Sequence, residues 1–354
     1  MLNYTLRRLM FTIPTLLLIS FIIFLILDLA PNDPTGNLPL TIPPEVREKI
    51  RASLGLDAPM FVRYLLWCNQ FFINEPLNML YEGFNWCIGD CENRLRVTSW
   101  STRSPVVDLI IERLPQTLWV IGMSYVVGIL IAVPIGVISA YKQYSWFDQA
   151  GTFVSMIGFS VPTFFTGVLL IVVFSVMIPN DSWFWLPSIY DTTHVVTGLD
   201  SAGEWHFSTL WSNLSFQFRQ MLMPVMVLAL YNAAQISRFM RASMLDNLSQ
   251  DYVRTARAKG LKEKTVLLVH VLRNSMIPVV TVIALGVPQI FGGAIITEQI
   301  FKVNGLGQLL IVGIQGADIP LVQTLTFLFA VLIVIFNLIA DVLYGLLDPR
   351  IRYE

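Results

Sequence analysis

Long apolar runs separated by polar stretches dominate this chain. Six of the runs are long enough to cross a bilayer as helices, because a hydrocarbon core of about 30 Å needs roughly 20 mostly apolar residues. The predicted spans are Leu9–Ala30, Gln116–Tyr141, Gly151–Ile178, Met221–Met240, Met276–Ile296 and Leu321–Leu346. The third run is so long that we expect it to be tilted, or kinked near Pro162. The pattern therefore predicts an all-α integral membrane protein with six transmembrane helices.

The composition supports a membrane protein. Of the 354 residues, 55% are hydrophobic and 13% are charged, more apolar surface than a soluble protein of this size needs. The formal net charge is −1, which gives no indication of a nucleic-acid partner. The first run is too long for the apolar core of a signal peptide, and no small-x-small cleavage site follows it, so we expect it to remain as a span.

The cations predict the orientation. Six spans place both termini on one side, and the positive-inside rule assigns the cation-rich side to the cytoplasm. With cytoplasmic termini, the density of lysine and arginine is about threefold higher on the inner segments than on the outer ones. The inner segments hold thirteen of the 23 such residues: Arg7, Arg8, Lys142, Arg238, Arg241, Arg254, Arg257, Lys259, Lys262, Lys264, Arg273, Arg350 and Arg352.

The segment Asp251–Pro278 holds the densest group of these cations, between two predicted spans. It could serve as an orientation signal or as a docking surface for a soluble partner. Its sequence predicts a short helix over Tyr252–Lys259, a turn at Gly260 and a second helix over Lys262–Asn274. The small residues Ala256, Ala258 and Gly260 allow close approach of another protein, so we interpret the segment as a cytoplasmic docking surface that also contributes to orientation.

The chain lacks the common signatures of catalysis. There is no phosphate-binding loop, no H-E-x-x-H and no G-x-S-x-G, and the three histidines are spread over both predicted sides of the membrane. We therefore predict no catalytic, cofactor or metal site. No predicted span carries an acid near its midplane, unlike most proton- or sodium-coupled carriers, so the energy for any active transport must come from another chain.

Polar residues inside the spans are few. Asn232, Gln235 and Gln289 either form hydrogen bonds between helices or line a translocation pathway. In the second external segment, residues 179–220, aromatic residues indicate either an interfacial belt or a contact with a partner or ligand.

All three cysteines fall in the first external segment. Cys87 and Cys91 are four residues apart, so they form a small-loop disulfide or remain unpaired thiols. Three cysteines with no nearby histidine do not make a zinc site.

Several motifs resemble those of one family, in the family's order along the chain. YVRTARAKGL, followed by HVLRN and IP, looks like the cytoplasmic E-A-A loop of ABC importer permeases, most of all in the oligopeptide/dipeptide/nickel branch. The acid of the triplet is missing, since Arg254 stands in its place. LILDLAPNDP, LGLDAPMFVRYLLW, RLPQTL, GFSVPTFFTGVLLI, TEQIFKVNGLGQLL, ADIPLVQ and DVLYGLLDPRIR agree with the same branch. The chain thus resembles a type I ABC importer permease over nearly its whole length.

The resemblance implies partners and roles for particular residues. The permease would pair with a second homologous permease in the bacterial inner membrane, two cytoplasmic ATPase subunits would bind the E-A-A loops, and a periplasmic solute-binding protein would deliver the solute, most commonly a di- or oligopeptide. The residues implied to dock an ATPase are Thr255, Ala256, Ala258, Lys259 and Gly260. Those implied to lie near the outer gate or the binding protein are Gly305, Gly307 and Asp318.

The predicted organisation has three parts. Residues 1–30 hold the N-terminus and first span, residues 31–114 form a periplasmic region, and residues 115–354 form a permease core with a cytoplasmic loop at 241–276. The competing functions are a self-contained secondary carrier or channel, and a membrane enzyme or assembly factor. The missing midplane acids count against the first alternative, and the missing catalytic motifs count against the second.

Overall fold

A computed structural model describes residues 2–29, 45, 57–89, 94–191 and 206–347, with side chains except at 2–7, 9, 288–293 and 343–347. These ranges are helical, without a β-strand apart from an isolated bridge between Thr98 and Pro105. The α-helices of more than three residues are α1 Leu2–Leu29, α2 Met60–Asn69, α3 Glu75–Phe84, α4 Val106–Tyr141, α5 Trp146–Ser160, α6 Thr163–Ile171, α7 Phe207–Leu248, α8 Asp251–Ala258, α9 Leu272–Phe301, α10 Leu306–Gln315 and α11 Ile319–Leu347. Three π-helical segments join some of them: Gln70–Asn74, Val172–Val176 and Val266–Val271.

Four helical segments of the described chain are long and apolar enough to cross a membrane, and a bent pair makes a fifth. The four are Met10–Leu29, Val106–Tyr141, Glu263–Val287 and Ile319–Val342. They overlap the first, second, fifth and sixth predicted spans, although Ala30 lies outside the described residues and α4 begins ten residues before Gln116. The segment Glu263–Val287 begins 13 residues before the predicted start at Met276. The all-α membrane class is confirmed at this level.

The fourth predicted span, Met221–Met240, lies inside the 42-residue helix α7. The mean hydropathy of this helix is too low for a typical membrane span, because Asn232, Gln235 and Arg238 interrupt its apolar run. It is instead a helix around which neighbours pack: Met223, Met240 and Met244 have no exposed surface.

The third predicted span is broken at Pro162. Its two halves, Trp146–Ser160 and Thr163–Val176, meet at an angle of 101°. Val161 takes an extended conformation (φ −79°, ψ 125°), since a residue before proline is disfavoured in the helical region, and proline has no N–H to continue the helix. The kink expected from the sequence is therefore present and sharp.

The chain divides into two compact units. One comprises residues 1–5, 116–307 and 333–354, and the other residues 6–115 and 308–332. Residues 308–332 thus group with residues 6–115. The predicted organisation into residues 1–30, 31–114 and 115–354 stays a prediction.

In the first unit, α7 packs against α5, α6 and α9. Two buried hydroxyls join α5 to α7, with Ser155 Oγ and Ser237 Oγ 3.1 Å apart. Such short polar links between helices are typical of membrane proteins, where apolar side chains alone do not distinguish a helix neighbour from lipid.

The second unit has an aromatic core. The ring of Phe327 meets those of Trp67, Phe71 and Phe72 edge-on, with centroids 5.4–5.8 Å apart. Edge-to-face packing at these distances places the positive ring edge against a negative ring face. This cluster fixes α2 and the π-helical turn after it onto α11.

An ion cluster lies beside that core. Arg96 contacts Glu75, Glu82 and Asp108 at 3.3, 2.9 and 3.0 Å, and Glu75 also accepts a hydrogen bond from the backbone N–H of Val97. Partial burial of the guanidinium disfavours its charged form and so lowers the pKa of Arg96. The neighbouring carboxylates, Glu75 foremost, favour the charged form, and the pKa of Arg96 is raised overall. The guanidinium therefore neutralises the buried Glu75 side chain.

Candidate functional site

The predicted cytoplasmic docking segment has the helix–turn–helix form that its sequence indicated. Helix α8 covers Asp251–Ala258, Gly260 follows with φ +75°, and a second helical stretch begins at Glu263. A positive φ is readily adopted by glycine, which explains the residue at the turn. A β-carbon at Gly260 would meet no atom within 4 Å, so the turn is open to solvent.

Helix α8 has two distinct faces. Val253 and Ala256 are buried against Met240, Met244 and Val266 in one apolar cluster. The opposite face exposes Asp251, Arg254, Thr255 and Ala258, followed by the exposed Lys259 and Gly260. Of the five residues predicted to dock an ATPase, four are thus accessible. Ala256 is the exception, because its small side chain allows α8 to lie close to the protein's own core.

An ion pair closes the turn. Arg257 donates two hydrogen bonds to Glu263, with distances of 3.1 Å from Nε and 2.6 Å from Nη2. The pair bridges Gly260 and raises the pKa of Arg257, first of all through the hydrogen bond to that carboxylate. The π-helical turn at Val266–Val271 then shifts the buried face, which is why the sequence there shows no simple apolar stripe.

Two further contacts fix the helices that carry α8. Ser243 Oγ donates to the carbonyl of Ser275 at 2.8 Å, and Ser275 Oγ lies 3.2 Å from the carbonyl of Ser243. Arg241 on α7 donates two hydrogen bonds to Asp148 on α5, at 2.6 and 2.7 Å, and Asp148 is 3% exposed. Helices α5, α7 and α9 are therefore held together at the end where α8 emerges.

Replacing Arg241 with glutamine is expected to lower the stability of this region by roughly 3 kcal/mol, because a buried carboxylate loses its charged partner. The measurement is the apparent melting temperature of the purified chain in detergent. The matched control is Arg254→Gln, since the Arg254 side chain is 76% exposed and pairs with an Asp251 side chain that is 96% exposed. An equal fall for both variants would contradict the assignment.

A cavity of about 460 Å³ lies within the first unit. Its lining includes both predicted pathway residues with described side chains, Asn232 and Gln235. The third, Gln289, has a side chain outside the described residues. Asn232 is 7% exposed, and its Nδ2 group has no hydrogen-bond partner. The lining residues are Tyr125, Phe159, Ser160, Val161, Pro162, Thr163, Phe164, Leu228, Tyr231, Asn232, Gln235, Ile236, Val282, Gly286 and Ile296.

The break between α5 and α6 forms one wall of this cavity. Ser160, Val161, Pro162 and Thr163 all line it. Interrupted helices are tolerated at membrane depth where they face protein or a cavity, since their freed backbone groups then find partners. Opposite the break, Tyr231 stacks on Phe159, with ring centroids 5.8 Å apart.

The segment between α9 and α10 is built around a buried carboxylate. Glu298 has no exposed surface and accepts hydrogen bonds from Thr117 Oγ1 and the N–H of Gly307, both at 2.7 Å. The Thr117 hydroxyl in turn accepts the N–H of Leu306 at 2.7 Å. Gly305 and Gly307 are buried in this arrangement. They leave room for Glu298 and Ile295, and do not present a surface to another protein.

Asp318 is also internal. It has no exposed surface and accepts hydrogen bonds from the Ser99 hydroxyl and from the N–H groups of Trp100 and Ser101, the latter two at 3.1 Å. The Leu321 N–H, in the first turn of α11, lies 3.3 Å from the same carboxylate. Asp318 therefore stabilises the start of α11 within the second unit. Its burial argues against the direct outer contact predicted from the sequence.

The cysteines are described in part. Cys87 is disulfide-bonded and Cys68 is a free thiol. Cys91 lies outside the described residues, so the predicted pairing of Cys87 with Cys91 stays a prediction.

Comparison with known protein families decides the class of this chain. The binding-protein-dependent transport system inner membrane component family matches residues 132–353, and the N-terminal family of the same systems matches residues 1–121. The chain belongs to this family of ABC importer permeases. The resemblance drawn from its motifs is confirmed, and the family is one of membrane subunits without an assigned enzymatic activity.

Two relatives align with this chain from end to end. The oligopeptide transport system permease protein AppB of Bacillus subtilis is 37% identical over 99% of both chains. The glutathione transport system permease protein GsiC of Escherichia coli is 36% identical over 100% of both.

Several residues of these sites were missed from the sequence. Glu298 stands in TEQIFKVNGLGQLL, and an acid in an apolar stretch just before a G-x-G was a usable signal. The Asp148–Arg241 pair gave no signal in the sequence, because the two residues are 93 positions apart. Tyr125, which donates to the carbonyl of Ile283 and lines the cavity, lies in a uniformly apolar run.

Proposed function

We propose that this chain is the permease subunit of an ATP-driven ABC importer that moves di- or oligopeptides across the bacterial inner membrane. The observation that carries the proposal is the end-to-end similarity to permeases named for oligopeptide and glutathione transport. The chain itself supplies no nucleotide-binding motif, so ATP hydrolysis belongs to partner subunits.

Six spans with both termini in the cytoplasm complete the proposal. The roughly threefold higher density of lysine and arginine on the inner segments supports this orientation. The broken pair α5–α6 serves as the third span, and α7, surrounded by its neighbours, serves as the fourth. In this arrangement α8 projects into the cytoplasm.

The exposed face of α8 suits an ATPase groove. It combines small side chains at Thr255 and Ala258 with the flanking cations Arg254 and Lys259. The ion pair across the Gly260 turn and the hydrogen bonds of Ser243 and Asp148 make α8 part of a rigid hairpin. Such a hairpin can transmit a rigid-body displacement from the ATPases. A second homologous permease and a periplasmic binding protein complete the importer.

The cavity at the helix break is the proposed part of the pathway on this subunit. Asn232 and Gln235 supply amide groups there, beside the aromatic rings of Phe159 and Tyr231. Gln289 stays a candidate for the same pathway.

Reconstitution tests the proposal directly. The full chain, the neighbouring permease and the ATPases are placed in proteoliposomes, and uptake of a labelled tripeptide is measured with and without the binding protein and ATP. We expect uptake only when both are present. Uptake driven by an ion gradient without ATPase subunits would instead identify a secondary carrier.

A further inference from the structure

The cavity of the first unit offers hydrogen-bond donors without matching acceptors. Asn232 Nδ2 is buried, has no partner and belongs to a side chain that lines the cavity. A buried, unpaired donor is unfavourable, so such groups in native proteins commonly bind a ligand or water. This atom can only donate, and its partner must therefore be an acceptor.

The break at Pro162 adds a second source of donors. Helix α6 begins at Thr163, and no side chain caps it. The first N–H groups of a helix have no acceptor within the helix, and they carry the positive end of its dipole. Thr163 and Phe164 both line the cavity, so this helix end faces the same space as Asn232.

The charges around the cavity favour an anion. Among the described lining residues none is acidic or basic. The guanidinium of Arg238 lies 4.6 Å from the centre of the ring of Phe159, which is a lining residue. Arg238 is six residues beyond Asn232 on α7, about 9 Å along the helix, and its Nε has no partner.

We propose that this cavity binds a carboxylate of the transported solute, held by the Asn232 amide and the N-terminus of α6. The proposal rests on the proposed import function and adds a selection step on the permease itself. A carboxylate accepts several hydrogen bonds at once and complements both the helix dipole and the nearby arginine. Side-chain amides and aromatic rings in the rest of the lining can contact a peptide without regard to its sequence.

The test uses the full chain purified with its partner subunits and two probes, N-acetyl-trialanine and N-acetyl-trialanine amide, which differ in the terminal carboxylate. Because a ligand that binds the native state raises its apparent stability, melting temperature reports binding without the binding protein. We expect the acid to raise the melting temperature and the amide to leave it unchanged.

Four variants locate the site. Asn232→Leu removes the donor, and we expect it to weaken binding of the acid about tenfold; Asn247→Leu, the same replacement on α7 but outside the cavity lining, should leave binding unchanged. Thr163→Pro removes one backbone N–H at a helix position where proline is tolerated, and it should weaken binding, whereas Thr163→Val keeps the N–H and should not.

Three results would overturn the inference: equal shifts with acid and amide, full binding by Asn232→Leu, or equal behaviour of the two Thr163 variants. Peptide uptake in proteoliposomes separates this from the proposed function. Binding of the acid without ATP-dependent uptake would contradict the import proposal alone, and uptake without binding of the acid would contradict the carboxylate site alone.

Discussion

Replacing Ala258 with arginine is expected to abolish peptide uptake while the chain still folds and inserts. Ala258 lies on the exposed face of α8, so a long charged side chain there points away from the protein's own core. It would meet an ATPase seated on that face, and an unpaired charge buried at an interface costs several kcal/mol, equivalent to a loss of affinity of about a hundredfold or more. The measurement is co-purification of the ATPases with the tagged chain.

Ala256→Arg is the informative contrast. Ala256 is 7% exposed and packs against the cluster that includes Val253 and Val266, so arginine there should displace α8 and lower the melting temperature. Lys142→Ala serves as the control, because it removes an exposed cation that lies outside α8. The docking assignment fails if Ala258→Arg retains the ATPases, or if it loses them only together with its fold.

The contrast between these two alanines shows how far the sequence could lead. Helix, glycine turn and second helix were predictable, because they depend on local propensity and on a single glycine. The side of α8 that faces the core was not, since it depends on the π-helical turn at Val266–Val271 and on how α8 folds back onto Met240 and Met244 of α7. Family motifs drew attention to this segment, and packing decided which of its residues are accessible.

The membrane spans show the same division. Apolar runs predicted six spans, four of which overlap single span-length apolar segments of the described chain, and proline predicted the break at Pro162, because hydropathy and proline act locally. The buried helix α7 was harder to interpret. Its polar residues Asn232 and Gln235 line the cavity, and Ser237 contacts a neighbouring helix. The mean hydropathy of the sequence cannot distinguish those surroundings from water.

The carboxylate of Glu298 gives the other prediction with a large expected effect. A β-carbon on Gly305 would overlap the Glu298 carboxylate, whereas one on Gly307 would lie 2.5 Å from the backbone Cα of Ile295. Each alanine variant should therefore be destabilised, by roughly 1–3 kcal/mol for overpacking. The clash at Gly305 is with a side chain, so removal of that side chain can relieve it. The clash at Gly307 is with the backbone and cannot be relieved in this way.

Removal of the Glu298 side chain separates the two glycines. In an Glu298→Ala background, Gly305→Ala should cost almost nothing further, because the clashing carboxylate is gone, while Gly307→Ala should cost as much as before. The double-mutant cycle is measured by melting temperature, and the expected coupling energy for Gly305 is about 1–3 kcal/mol, the range for residues in contact. Equal costs of Gly305→Ala in both backgrounds would show that the glycine serves another purpose.

The same cycle has a functional readout. Helix α9 is assigned continuously over 30 residues, about 45 Å, from the docking segment Asp251–Pro278 to the Glu298 cluster. This helix offers a continuous path by which a displacement of α8 could reach the cluster. We expect Glu298→Ala to retain the ATPases, since α8 is untouched, yet to lose most peptide uptake, because Thr117 and Gly307 no longer share an acceptor that ties α4, α9 and the start of α10 together. Normal uptake by this variant would confine Glu298 to stability and leave transmission along α9 to other contacts.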